Sequence, residues 1–411
     1  MRKIFFLGLL VTVCFGVEAQ LGVRYDPTIQ STGNINYFKP QGNLFVGDCI
    51  PFFHDGKYYL YWLLDSAHHR ALNGLGGHQW ALSVSADLKT WKQYPVVLGI
   101  DEAWEKSICT GSVAYHAGKF YAFYATRLID SAGKVNEQLS YAVSDDGIHF
   151  VKRKPNPFYT SAPGYSKRNF RDPKVIIDAD GTFHLFVASD RTDAPTAEFN
   201  GGRRILAGWI PSRRDLQDNQ GEVFGGNIVL RELSQEKDGT LNTFWPAEAA
   251  VSGGGPAPGG TGQPLNIVSD SLTHKQAADA YTISSTGGLG AFFCRDVSVD
   301  CRIDFEMSVK GAIDDFGCFL RSDERGQHAY VLRFSPQDRE VTLAGSPIHA
   351  VEGLETKQMV QIVMKDDIID VCIGGKRCIV NRLYAQKGSL LGFFARHGTV
   401  SFTNMKVSAL N

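Results

Sequence analysis

The chain has 411 residues, a formal net charge of −1 and 43% hydrophobic residues. That balance lacks the basic excess expected of a nucleic-acid or anionic-membrane partner. Beyond the N-terminus no run approaches the roughly 18 uninterrupted apolar residues of a membrane span, so neither nucleic acid nor a membrane span is expected. The 43 glycines predict a turn-rich globular chain.

The chain opens Met1-Arg2-Lys3, runs apolar from Ile4 to Val17 and reaches Val17-Glu18-Ala19 before Gln20. A basic start, a short apolar core and a small-residue site predict a signal peptide over 1–19 and export to the periplasm or cell exterior.

Four segments then share one pattern: a β-rich run, a tight turn ending in Gly, and an aromatic strand. They are CIPFFHDGKYYLYW (49–62), SVAYHAGKFYAFY (112–124), KVIIDADGTFHLFV (174–187) and VLRELSQEKDGTLNTFW (229–245). The turn glycines Gly56, Gly118, Gly181 and Gly239 are 62, 63 and 58 residues apart. A second element recurs between them, ALSVSADLKTW (81–91) and SYAVSDDGIHF (140–150), with a looser copy in ILAGWIPSRRDL (205–216). Two hairpins per repeat make a four-stranded blade, and such blades around an axis make a β-propeller. A large β-sandwich is the competing all-β reading, but sandwiches do not repeat at this period.

The propeller is expected over 20–251. SGGGPAPGGTGQP (252–264) is uncharged and rich in Gly and Pro, as a linker would be. Residues 265–411 alternate apolar and polar positions in short runs such as CRIDFEMSV and MVQIVMK, predicting a C-terminal β-sandwich or jelly roll. A module of this kind either binds glycan or buttresses the propeller, and the lack of an evident aromatic platform favours buttressing. Seven cysteines follow Cys14. Cys294 with Cys301 and Cys372 with Cys378 could bridge in an oxidising compartment, and buried thiols are the equal alternative. The pattern has neither zinc spacing nor a phosphate-cradling glycine loop, so neither metal nor organic cofactor is expected.

Counting back from each turn Gly locates the residue that opens the blade's first strand. It is Asp48, eight before Gly56, and Asp172, nine before Gly181; blade 2 holds Cys109 or Thr110 there. First strands line a propeller axis, so two carboxylates from different blades converge at one mouth. One such Asp alone reads as a strand cap; two in register read as a site. Paired carboxylates are what glycosyl transfer needs.

GDCIPFFHDGKYYLYW, GGHQWALSVSADLKTW, CTGSVAYHAGKFYAFY, FRDPKV, GRRILAGW and GGNIVLREL followed by DGTL resemble, in order, the landmarks of glycoside hydrolase family 32. The resemblance covers about 37–248 and implies a five-bladed propeller, four of whose repeats are visible, with a trailing sandwich and activity on β-fructosides. By position Asp48 resembles the nucleophile and Asp172, in Arg-Asp-Pro, the transition-state stabiliser, with Arg171 beside it binding sugar hydroxyls or holding that carboxylate ionised.

Gly-Asp-Cys-Ile-Pro stands where the family has Asn-Asp-Pro-Asn-Gly, and the family's Glu-Cys-Pro acid motif is absent. Glu105, just before the first strand of blade 2, and Glu222, before the last, are the candidates to protonate the leaving group. Trp62, His78, Trp80 and Thr110 are candidates to line the sugar subsite, with packing within the blades as the competing role for both tryptophans. The expected partner is a carbohydrate substrate; oligomeric state is not legible. A glycan-binding propeller without catalysis, and a hydrolase of arabinosides or other furanosides, are the alternative functions.

Overall fold

A computed structural model describes residues 35–66, 77–161, 166–189, 196–200, 203–249, 253–256, 264–268, 272–277, 280–294, 297–323 and 328–410. The expected signal peptide therefore lies outside the described residues. No helix among them is long and apolar enough to cross a membrane.

Each sequence repeat is a hairpin. The first sheet is β1 (Leu44–His54), β2 (Lys57–Ser66), β3 (Gln79–Ser85) and β4 (Lys92–Leu98), joined antiparallel in chain order. The second is β5 (Ser107–His116), β6 (Lys119–Ile129), β7 (Val135–Ser144) and β8 (Val151–Lys152). The third holds β9 (Phe170–Ile177) and β10 (Phe183–Ser189). The fourth group runs β11 (Thr196–Asn200), β12 (Arg203–Arg213), β13 (Glu222–Gln235) and β14 (Leu241–Phe244), and β13 also bridges β1 at Val46 and Gly226. The repeat is real because its turn glycines all take left-handed backbone, φ 71°, 79°, 87° and 93° at Gly56, Gly118, Gly181 and Gly239.

Apolar side chains between sheets hold the propeller. Trp62, Leu60 and Ala81 pack with Ile205, Ile228 and Leu230 on one side of the first sheet. On its other side Tyr61, Trp80 and Leu82 pack with Ile108, Ala122 and Tyr124 of the second. Strand β5 is buried from Ser107 to Ala114, as a strand covered on both faces should be.

The C-terminal region is the expected sandwich. Its strands are β15 (Gly253–Pro256), β16 (Pro264–Val268), β17 (Leu272–Ala277), β18 (Ala280–Cys294), β19 (Cys301–Lys310) and β20 (Asp315–Ser322). They continue with β21 (Tyr330–Ser335), β22 (Glu340–Leu343), β23 (Ser346–Ile348), β24 (Gln358–Lys365), β25 (Ile368–Ile373), β26 (Arg377–Arg382) and β27 (Leu390–Leu410). In β19 the buried Cys301, Ile303, Phe305 and Met307 alternate with outward Arg302, Asp304 and Glu306, the period of a strand with one wet face. The 21-residue β27 pairs with β15, β18, β19 and β20, so one strand ties both layers around an aromatic core of Phe305, Phe393 and Phe402.

The stretch expected as a linker differs in part. Gly253–Pro256 is a strand on the end of β27, and 257–263 lie outside the described residues. Glycines without side chains can still extend and join a ladder when an edge strand offers its backbone. Cys372 and Cys378 stand opposite one another in the β25–β26 register and remain thiols; Cys301 is a buried thiol.

The two regions interlock through polar groups. Arg231 donates to Asp370 Oδ1 (2.8 Å) and Tyr37 OH donates to Asp370 Oδ2 (2.5 Å), all buried. Arg382 on β26 pairs with Asp367 (2.7 and 2.8 Å) and donates to the carbonyls of Pro211 (2.9 Å) and Ile210 (3.3 Å) and to Asn227. The sandwich thus grips β12 and β13 where they turn into the propeller's interior.

Candidate active site

The three hairpins that open the first three sheets carry the same irregularity. In β1–β2, Val46 faces Leu64 but Cys49 faces Trp62; in β5–β6, Ile108 faces Thr126 but Gly111 faces Tyr124. In β9–β10, Arg171 faces Ala188 but Lys174 faces Phe186. In each case two residues oppose one, a β-bulge that turns side chains out of the ladder. The bulged pairs are Gly47–Asp48, Cys109–Thr110 and Asp172–Pro173. The one-residue offset between Asp48 and Asp172 in the turn-glycine count is therefore only the choice of which bulge residue projects. A fourth irregularity, between Pro211 and Ser212 on β12, frees Phe224–Gly225 of β13.

These bulges face one cavity of about 420 Å³ lined by Asp48, Leu63, His78, Cys109, Thr110, Arg127, Glu137, Arg171, Asp172, Val223 and Phe224. Asp48 is held from two other strands, β5 and β12: Thr110 Oγ1 donates to its Oδ2, and Trp209 Nε1 donates to its Oδ1 at 3.2 Å. Asp172 has φ 55°, left-handed backbone that a non-Gly residue adopts at a cost of about 1–3 kcal/mol. Beside it, Arg171 Nε lies 2.9 Å from Glu137 Oε2, and Arg171 Nη2 donates to Asn169. Arg127 donates to the other oxygen of Glu137 from Nη2 (2.8 Å) and Nε (3.2 Å).

His78 enters from the start of β3. Its Nε2 donates to buried Asp65 Oδ1 at 3.0 Å, and its ring stacks on Phe224 with centroids 5.1 Å apart. Phe224 in turn meets Trp209 at 4.9 Å. Gly225 makes this wall possible: at φ +85° a Cβ there would sit 2.8 Å from Phe45 Cβ. The Cys109 thiol in the bulge is pushed up to about 11, chiefly by burial, so it lines the cavity as a neutral group.

The cavity brings together Asp48, Asp172, Arg171, Thr110 and His78 of the expected residues. Trp62 and Trp80 lie elsewhere, fully buried in the sheet cores, because flat aromatic faces of this size fill the space between blades. Trp80 still serves the site, since its Nε1 donates to the carbonyl of bulge residue Cys109 at 2.9 Å. Glu105 also lies off the cavity wall. Its Oε2 accepts from Lys152 Nζ (2.5 Å) and from the backbone N–H groups of Asp101 (2.9 Å) and Glu102 (3.2 Å), which commits it as a loop clasp. Glu222 is exposed, one residue before the lining Val223.

Sequence reasoning missed Trp209, Asp65, Arg127 and Glu137. Arg127 and Glu137 were findable: they are opposite charges at equal distances from the turn in DSAGK, and they face one another across β6–β7.

The described sheets and this cavity define a propeller-plus-sandwich protein whose first strands deliver carboxylates to a central pocket. By sequence the chain resembles glycoside hydrolase family 32: residues 38–200 match the family model described as Glycosyl hydrolases family 32 N-terminal domain. Levanase of Bacillus subtilis is 28% identical over 176 residues, covering 41% of this chain, and sucrose-6-phosphate hydrolase of the same organism is 29% identical over 117 residues, covering 28%. The chain spans about a quarter, 24%, of the length of each of these two relatives. Among solved structures, fructan 1-exohydrolase IIa from Cichorium intybus aligns with TM-score 0.60 at 13% identity over 91% of this chain and 97% of that one. Exo-inulinase from Aspergillus awamori aligns with TM-score 0.57 at 12% identity, over 92% and 98%. At such identities the structural likeness shows the fold.

Proposed function

We propose that the chain is an exported glycoside hydrolase of the β-fructosidase type, acting on fructosides of the sucrose, levan or inulin class. The observation that carries the reading is that Asp48 and Asp172 project from equivalent bulges of different blades into one cavity. Its neighbours by sequence and by fold are enzymes of fructosides in their own names.

In this reading Asp48 attacks the anomeric carbon as the glycosidic C–O bond breaks, forming a fructosyl ester. Thr110 and Trp209 keep both carboxylate oxygens oriented until then. Asp172 sits opposite the positive charge that develops on the sugar ring. The leaving oxygen takes its proton from an acid, for which Glu222 at the rim is the candidate, and the same group then draws a proton from the water that hydrolyses the ester.

Sugar release from sucrose, levan, inulin and arabinan tests the reading. Release from a fructan or sucrose that Asp48→Asn abolishes supports it, and release from arabinan alone would transfer the site to arabinofuranosides. A second reading, a glycan-binding propeller without turnover, draws on the engagement of the interior glutamates: Glu137 is ion-paired to two arginines and Glu105 to Lys152. It expects saturable fructan binding with no release at any protein concentration.

A further inference from the structure

Glu137 is a buried carboxylate in the cavity wall, its side chain 1% exposed, and guanidinium groups reach both its oxygens. We propose that Glu137 makes the pocket selective for uncharged sugars over phosphorylated ones, by neutralising the two arginines that would otherwise form an anion site. This rests on the hydrolase reading of the same cavity and names the substrate class it takes.

Arg127 and Arg171 come from different blades, β6 and the start of β9, and both line the cavity. Two convergent guanidiniums are the usual recognition element for a phosphate, because their planar forks match its oxygens. Here the fork of Arg127 is spent on Glu137 Oε1 at 2.8 and 3.2 Å, and Arg171 Nε is held against Oε2 at 2.9 Å. The backbone N–H of Glu137 also donates to Lys167 O at 2.8 Å, which fixes β7 against the segment that leads into β9. The carboxylate is therefore carried by a strand that is itself tied to the neighbouring blade, and its two ion pairs hold it in the wall.

The charges in the wall follow. Asp48, Asp172 and Glu137 oppose Arg127 and Arg171, leaving an excess of negative charge. A phosphate dianion entering would meet two aspartates and compete with a buried carboxylate for both guanidiniums. A neutral sugar asks only for hydroxyl hydrogen bonds, which Arg171 and the carboxylates supply while still paired.

The test compares kcat/KM for sucrose and sucrose 6-phosphate in the wild type, Glu137→Gln and Glu137→Asp, with inorganic phosphate as inhibitor. The wild type should favour sucrose by roughly tenfold or more and resist millimolar phosphate. Glu137→Gln should move the ratio toward the phosphorylated sugar by about tenfold and become competitively inhibited by phosphate, whereas Glu137→Asp keeps the wild-type preference. A merely structural Glu137 would lower both substrates together, and an unchanged ratio in a folded Glu137→Gln overturns the proposal.

The wild-type preference and phosphate resistance need no variant to fold. A wild type that cleaves sucrose 6-phosphate as well as sucrose overturns the proposal and leaves the hydrolase reading standing. If the wild type cleaves neither and also releases no sugar from levan or inulin, the hydrolase reading falls; in either case calorimetric binding of sucrose and sucrose 6-phosphate decides the selectivity. Tighter sucrose binding upholds the selectivity; equal or tighter binding of sucrose 6-phosphate ends it.

Discussion

Trp209 Nε1 donates to Asp48 Oδ1 at 3.2 Å across 161 residues of sequence. Asp48 is on β1 and Trp209 on β12, so this bond ties the first strand group to the fourth beside the cavity. A hydrogen bond to a charged group contributes about 1.5–3 kcal/mol. Trp209→Phe keeps most of the ring contact with Phe224 and removes the donor. It should lower kcat on the cleaved fructoside by roughly ten- to a hundredfold with a smaller change in KM. Steady-state kinetics on one fructoside measures this.

Thr110 holds the other oxygen of Asp48 from the bulge of β5. Thr110→Ser keeps the hydroxyl and should retain most activity, whereas Thr110→Val keeps the shape and should lose roughly tenfold or more in kcat/KM. Equal kinetics for the two variants would remove Thr110 from the machinery.

The Arg231–Asp370–Tyr37 contact joins the propeller to the sandwich in a buried place. Burial pushes Asp370 above the ordinary carboxylate range, against the opposing pull of Arg231 and the Tyr37 hydroxyl. Removing one partner leaves the others buried and unpaired, so Asp370→Ala should cost about 3–5 kcal/mol. Urea unfolding reads the loss. The two regions should still unfold in one transition in the wild type, because they share the packed surface of Tyr37, Ile210, Trp245, Val363 and Ile368.

The Cys109 thiol, held up to about 11 by burial, gives a pH dependence of defined sign. Its folded value lies above the unfolded value of about 8.5, so the neutral thiol's contribution is present below pH 8.5 and is lost as pH rises toward 11. In the wild type the urea midpoint should therefore fall more steeply between pH 8.5 and 10.5 than in Cys109→Ala. Comparing the two slopes checks it.

Much of the architecture was legible because the repeat is written in its turns. Gly56, Gly118, Gly181 and Gly239 all take the left-handed backbone that only glycine adopts freely, so their spacing marks four hairpins. The same frame located Asp48, Thr110 and Asp172, since a bulge at a fixed distance from the turn sets which residue leaves the ladder. What was not legible depends on contacts between blades. Trp209 and Asp48 lie on strands far apart in the chain whose adjacency no local pattern specifies. Trp62 and Trp80 looked like sugar platforms because a tryptophan's composition is the same in a core and in a subsite; only packing separates them. Glu105 stands just before the first strand of its sheet, where a mouth-facing acid was expected, but Lys152, 47 residues on, claims its carboxylate.

The central claim is that Asp48 and Asp172 together break a fructosidic bond, and side-by-side fructose release tests it most directly. Wild type, Asp48→Asn and Asp172→Asn would be incubated with sucrose, levan and inulin, with circular dichroism confirming that all three are folded. The account predicts release by the wild type from at least one substrate and a loss of roughly a thousandfold or more in each variant. Release by folded Asp48→Asn at the wild-type rate would contradict it.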